Sequence, residues 1–382
     1  MSSISRKRKR TSSSLKPSPS PPAVFPDVML GTYRMKDDKI IKKVIKKCLP
    51  VCGGLDTATI YGNQPSIGRA IASEGLLGGG RDGVPTPWVQ TKLWRSVKPE
   101  DVVKTIKKDL KDLQIERLDC WLMHWPGPGR HLNYPPVTRT DVTVVKADVR
   151  EPDPSSSEST LLYDIEDVGG PSKPSLYLAS KIPNANPSKV ISCPSTWSPS
   201  TRHKIWSQMS KCVDLGYTST LGVSNFTLPQ LRSLLTYCST HNLHPPTLLQ
   251  NEFNPLITLP PNLLNFLHIN NITYQAHTCL GGRSKFLLNH PTVIKIAEKL
   301  RVETADVLFR YAKKKVGNII IKSDYPEKVI KNFRIMKCGE WDITEEDMNR
   351  LDGFKEEVEF KGFGEGGTVF SWVREESPSF YD

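Results

Sequence analysis

No uninterrupted apolar run in the 382 residues approaches the length that crosses a bilayer, which excludes an integral membrane protein. The first residues lack the apolar stretch of a secretory signal, so a cytoplasmic location is expected. Cysteine occurs only eight times, at 48, 52, 120, 193, 212, 238, 279 and 338, scattered too widely for a disulfide framework. Reduced thiols of the cytosol or nucleus are the simpler reading. Cys48 and Cys52 lack a second Cys/His pair at zinc-finger spacing, so no metal is expected. Also missing are a G-x-G-x-x-G at a strand–helix junction and a Walker A string, which removes the Rossmann and P-loop nucleotide sites. Acidic residues are absent from residues 1–22, which hold six Lys/Arg. Half of the +12 net charge therefore sits in one short tail. The modest excess on the remainder does not describe a whole-surface nucleic-acid binder.

What is present supports a real core: 37% hydrophobic and 24% charged residues argue against wholesale disorder. Residues 1–25, with Arg6-Lys7-Arg8-Lys9-Arg10 followed by Ser and Pro, read as a disordered basic tail. The cluster fits a nuclear-import signal and a functionless solvated tail equally well. Residues 26–382 are expected to form one domain. Short apolar strands are predicted at Val28–Thr32, Gly54–Ala58, Trp88–Trp94, Leu118–His124, Thr218–Asn225, Leu248–Phe253, Ile272–Thr278 and Ile319–Ser323. Amphipathic helical runs lie between most of them, as at Lys39–Leu49, Pro99–Leu113, Leu228–Cys238 and Thr304–Lys315. Such alternation implies an α/β protein with a parallel sheet, and eight strands is the number that closes a (β/α)8 TIM barrel. Residues 128–203, crowded with Pro, Ser and Asp, break the rhythm and read as a long low-complexity loop insertion after the fourth strand. Without it and the tail, 281 residues remain, near the roughly 250 typical of such barrels.

Polar residues fall at the ends of successive strands. Asp56 closes the second, Lys92 lies near the end of the third, and His124 ends the fourth. Ser224-Asn225, Gln250, His277 and Lys322-Ser323 end the next four. In a barrel all strand C-termini face one rim, so these residues would converge on one mouth. Each alone has a plain structural explanation. Lys92, set among apolar residues in Trp88-Val-Gln-Thr-Lys-Leu-Trp94, needs a carboxylate partner if buried, and Asp56 is the natural one. His124 alone reads as a hydrogen-bonded core histidine. Tyr61, five residues past Asp56, reads alone as a packing residue beyond the rim.

Taken together, GGLDTATIYGNQPSIG, VQTKLW, LDCWLMHWPG, TSTLGVSNF and the closing Ile-Ile-Ile-Lys322-Ser323 resemble, in order and spacing, the signatures of the aldo-keto reductase superfamily. The resemblance runs from about Val28 to about Phe354, excluding the insertion. It implies an NADPH-dependent aldehyde or ketone reductase, in which hydride transfer leaves negative charge on a carbonyl oxygen that must be stabilised and protonated. By that resemblance Tyr61 is the proton donor, Lys92 biases its ionisation, Asp56 pairs with Lys92, and His124 orients the carbonyl. The resemblance also implies that Ser224, Asn225 and Gln250 hydrogen-bond the nicotinamide carboxamide. Lys322 and Ser323 would grip the adenosine 2′-phosphate, and Asn332 would contact the adenine.

Three positions depart from the family pattern. His277 stands where a tyrosine usually stacks on the nicotinamide. Lys328 replaces an arginine at the 2′-phosphate, keeping the charge and losing the bidentate fork. Lys331 replaces a glutamate near the adenine and is expected to add positive charge there. Weaker NADPH binding, and the choice between NADP and NAD, are the properties these changes touch.

A small-molecule carbonyl is the expected partner, and a monomer the default state. Phe370, Trp372 and Phe380 in the C-terminal segment fit an apolar pocket wall or a packed tail. A second reading is a cofactor-sensing regulatory or binding subunit that keeps the fold with little turnover, using the insertion and tail as partner surfaces. Nucleic-acid binding through the tail is a poorer third. An intact Asp56, Tyr61, Lys92 and His124 set favours the enzyme, because a binding role does not require all four.

Overall fold

Parallel strands covered on both faces need continuous apolar runs, and the runs of this chain become its strands. The computed structural model describes residues 25–354, apart from 77–85, 95–96, 127–198, 258, 260–261, 283–285, 338 and 340. The strands are β1 (Val28–Gly31), β2 (Gly54–Asp56), β3 (Trp88–Leu93), β4 (Leu118–Met123), β5 (Thr218–Ser224), β6 (Leu248–Glu252), β7 (Thr273–His277) and β8 (Asn318–Ile321). Each pairs in parallel with its sequence neighbour, and β1 pairs with β8 through Val28 opposite Ile319, so the sheet closes. This is the (β/α)8 TIM barrel expected from the alternation, and every predicted strand overlaps an observed one.

The outer ring comprises α1 (Asp38–Cys52), α2 (Gln64–Glu74), α3 (Val102–Leu113), α4 (Pro199–Asp214) and α5 (Leu228–His241). It continues with α6 (Leu263–Ile269), α7 (Pro291–Leu300), α8 (Thr304–Val316), α9 (Pro326–Lys337) and α10 (Glu345–Asp352). Local chemistry sets the ends. The Asp37 carboxylate accepts from the Lys39 and Ile40 amides to start α1, and Gly53, at φ 66°, stops it in a left-handed conformation. Helix α4 begins at Pro199, inside the stretch 128–203 expected to be loop. Ile205, Trp206, Met209 and Cys212 recur at helical spacing along it and are buried against the barrel. The basic tail, most of the insertion, Gly78-Gly79-Gly80 and the C-terminal aromatics lie outside the described residues.

Six cysteines (48, 52, 120, 212, 238 and 279) are free and buried. Burial pushes the thiols of Cys52, Cys120, Cys238 and Cys279 up to about 12, which leaves them packing groups rather than nucleophiles. Among the described residues no helix is long and apolar enough to cross a membrane.

Candidate active site

Side chains two apart on a strand share a face, so Gln90 and Lys92 of β3 both point into the barrel. Asp56, at the end of β2, lies opposite Gln90 in the parallel register. Lys92 Nζ donates to Asp56 Oδ1 at 2.8 Å and Oδ2 at 2.7 Å, and to the Thr57 carbonyl at 2.9 Å. The lysine is 1% exposed, where an ammonium survives only when its partner is fixed. Burial draws its pKa down and the Asp56 charge works against that loss.

Asp56 is itself held. Gln90 Nε2 donates to its Oδ1 at 2.7 Å and Gln250 Nε2 at 2.8 Å, while both amides also donate to Gln275 Oε1 at 2.8 Å. Side chains from β2, β3, β6 and β7 thus form one polar layer across the barrel interior. Gln250, expected at the nicotinamide, takes part in this layer through its amide nitrogen.

Tyr61 comes from a short 3-10 turn, Thr59–Tyr61, closed by Gly62 at φ 70°. Lys92 Nζ lies 3.4 Å from the Tyr61 hydroxyl and 5.2 Å from its ring centre. Burial pushes the phenol well above its ordinary pKa, and the Asp56 and Tyr33 charges add to it. A phenol held above its ordinary pKa keeps its proton at neutral pH. His124 follows β4, tied by its amide to the Leu93 carbonyl at 3.1 Å. Its ring stands edge-on to Tyr61 at 5.9 Å and to Trp94 at 5.4 Å. Tyr33, 4.9 Å from Tyr61, and Trp125, beside His124, extend the aromatic wall.

Asn225 leaves β5 at φ 61°, a left-handed conformation that asparagine tolerates. Its Nδ2 donates to the His124 carbonyl at 2.9 Å, while its Oδ1 is buried with no hydrogen-bond partner among the described residues. Ser224 lies beside it, opposite Gln250 in the strand register. His277 ends β7 with Nδ1 2.8 Å from Thr278 Oγ1. Burial, then the Lys92 charge, lowers its pKa to about 3, so the ring is neutral in ordinary buffers.

The remaining expected residues meet elsewhere on the same rim. Lys322 and Ser323 after β8 join Lys328 and Asn332 of α9 and Arg301 after α7 around a cavity of about 630 Å³. Lys322 Nζ is 2.8 Å from Asp324 Oδ1, and Lys328 Nζ sits 5.4 Å from the Tyr325 ring centre. Lys331 corrects an expectation. It pairs with Glu303 at 2.5 Å and Asp306 at 3.4 Å, so two carboxylates neutralise the positive charge expected there.

Sequence reasoning passed over Gln90 and Gln275. Their signal was position: each stands two residues before a singled-out residue, Lys92 or His277, on the same strand face. Tyr33, Trp94 and Trp125 carried no comparable signal.

The family model described as Aldo/keto reductase family matches residues 52–356. The aldehyde reductase YPR1 of Saccharomyces cerevisiae is 26% identical over 340 residues, covering 89% of this chain and 92% of that protein. Glycerol 2-dehydrogenase (NADP(+)) of the same yeast is 27% identical over 335 residues, covering 88% and 89% respectively. A solved aldose reductase from Giardia lamblia shares the fold at TM-score 0.60 and 23% identity, covering 87% of this chain and 92% of that one. A family match across most of the chain, on a closed eight-stranded barrel, means that the chain belongs to the aldo/keto reductase family.

Proposed function

We propose that the chain reduces an aldehyde or ketone to an alcohol, with NADPH as hydride source and Tyr61 as proton donor. The observation that carries this reading is the Tyr61 hydroxyl 3.4 Å from the buried Lys92 ammonium, beside the His124 imidazole at the open rim. The residues present fit the nucleotide. Asn225 Oδ1, unpartnered among the described residues, is an acceptor that a carboxamide NH₂ would satisfy, and the Lys322, Lys328 and Arg301 cations line a cavity suited to a phosphate. The NADP(+) in the name of the yeast glycerol dehydrogenase supports the same choice. When bound, the nicotinamide supplies the hydride.

The chain's own groups do the remainder. Tyr61 gives its proton to the carbonyl oxygen as negative charge builds there. Lys92 stabilises the resulting phenolate from 3.4 Å, and Asp56 with its glutamine donors keeps that ammonium in place. His124 fixes the carbonyl's approach, and the Tyr33, Trp94 and Trp125 rings exclude water from the reacting atoms. The flat, neutral His277 ring would lie against the nicotinamide.

NADPH oxidation with a panel of small aldehydes tests the assignment. Tyr61→Phe should lower kcat by about 10²-fold or more while leaving nucleotide binding intact. Full rate in that variant would end the mechanism. Nucleotide binding without turnover by the unaltered protein would leave a cofactor-sensing subunit instead.

A further inference from the structure

Asp109 of α3 is a fully buried carboxyl group that the proposed chemistry does not use. Its surroundings are those of the proton-donor turn. Gln64 Nε2, at the start of α2, reaches Asp109 Oδ1 at 2.7 Å. Thr59 Oγ1, the first residue of the Tyr61 turn, lies 3.2 Å from Oδ1 and 3.1 Å from Oδ2. The same hydroxyl is 2.9 Å from the Lys92 carbonyl. Gln64 Oε1 in turn accepts from Thr91 Oγ1, one residue before Lys92.

The hydrogens decide the protonation state. Thr59 has one hydroxyl hydrogen and two claimants, the Lys92 carbonyl and the Asp109 carboxyl group. The shorter contact, to the carbonyl, takes it. Thr59 Oγ1 then faces Asp109 Oδ2 as an acceptor, which an ionised carboxylate cannot supply with a donor. A neutral carboxylic acid completes the chain. Asp109 O–H donates to Thr59, Thr59 donates to the Lys92 carbonyl, and Gln64 Nε2 donates to the other Asp109 oxygen.

We propose that Asp109 is a positioning residue that works as a neutral acid, bracing the Tyr61 turn against the strand that carries Lys92. The inference rests on the reading of Tyr61 and Lys92 given above. Burial, the largest cause, raises the Asp109 carboxyl to about 6, while the Gln64 and Thr59 contacts pull the other way. The side chains that touch it from the turn and from α2 are Thr59 and Gln64, neither of which titrates. The charged groups bearing on it are Asp112, which raises its pKa, and Lys108, which lowers it, both on α3 and paired with each other. Ionisation sets Thr59's hydrogen between two acceptors and loosens the 3.4 Å Lys92–Tyr61 contact.

Two variants and two readouts test this. Asp109→Asn presents an NH₂ to Thr59 and an oxygen to Gln64, so it copies the neutral acid and cannot ionise. It should keep kcat within about twofold of the acidic-side value and abolish the decline in kcat that the unaltered enzyme shows as pH rises through about 6. Asp109→Leu should lower kcat by about tenfold with KM and NADPH affinity nearly unchanged. Independently of activity, infrared difference spectra between pH 5 and 7 should lose a buried neutral carboxyl band that Asp109→Asn never shows. Equal losses in both variants, a persisting pH limb in Asp109→Asn, or no carboxyl band would overturn the proposal. If Asp109→Leu fails to fold, the Asn variant and the infrared band still decide. A reductase reading that fails shows itself separately, as no NADPH oxidation by the unaltered protein, and a failed Tyr61 role as full activity in Tyr61→Phe; the infrared band is read in either case.

Discussion

A single carboxylate can set the terms on which a nucleotide binds. Asp324 holds Lys322 at 2.8 Å, with both side chains partly open to solvent. A 2′-phosphate would have to share that ammonium. Exposed pairs of this kind contribute less than about 1 kcal/mol, which limits the effect to roughly fivefold. Asp324→Asn should therefore tighten NADPH by up to about fivefold and leave NADH unchanged in a fluorescence titration. Lys328→Arg, which restores the bidentate fork, should shift the two nucleotides in the same sense. Unaltered titrations in both variants would place the phosphate elsewhere. At this scale the sequence was partly legible. Lys92 among apolar neighbours announced its need for an acid, and Asp56 was the acid in range. The neutralisation of Lys331 was not legible, because Glu303 and Asp306 stand at the start of another helix and only the folded barrel brings them near.

Elements were easier to read than their boundaries. Short apolar runs alternate with helical stretches along the chain, so all eight strands could be placed from that pattern even where polar residues interrupt the runs. The start of α4 was hidden, since Pro199, Ser200 and Thr201 match the preceding Pro/Ser-rich stretch and the buried side chains begin only at Arg202. The interior glutamines were equally hidden, because a polar strand residue looks the same whether it meets water or a buried acid. Packing between elements also leaves tight spots that sequence does not mark. Gly68 of α2 is one. A Cβ there would stand 2.2 Å from the Asp112 carbonyl oxygen and 2.7 Å from the Leu113 carbonyl carbon, both α3 backbone. Gly68→Ala should force α2 and α3 apart and cost about 2–3 kcal/mol, read as a lower midpoint in urea unfolding. Since α2 and α3 carry Gln64 and Asp109, some loss of kcat should accompany it.

For the molecule as a whole, the acidic limb of stability follows from ties around the barrel. Burial opposes ionisation of Asp27, Asp342 and Asp347, but hydrogen bonds from Lys313 with Lys337, from Lys314, and from Lys299 outweigh it and hold each below 3.8. Their stabilisation is present above the unfolded value of 3.8 and is lost as pH falls through the lower folded values. Asp109 acts in the opposite sense. Its contribution is complete below 3.8 and disappears as pH rises through about 6. The melting temperature should therefore drop steeply between about pH 4 and 2, and Asp27→Asn should flatten that limb. An unchanged limb would mean that these pairs persist in the unfolded chain.

Asp27 also marks where the chain enters the barrel. Phe25 packs on Trp88 at 4.9 Å, and Asn318 Nδ2 donates to the Pro26 carbonyl at 3.2 Å, both at strand beginnings. The groups proposed to react stand at or just past strand ends. Anything joined ahead of Phe25 is therefore rooted in the floor of the cylinder. A scaffold or surface that grips the protein from that side leaves the proposed site facing outward, open to small molecules that diffuse in.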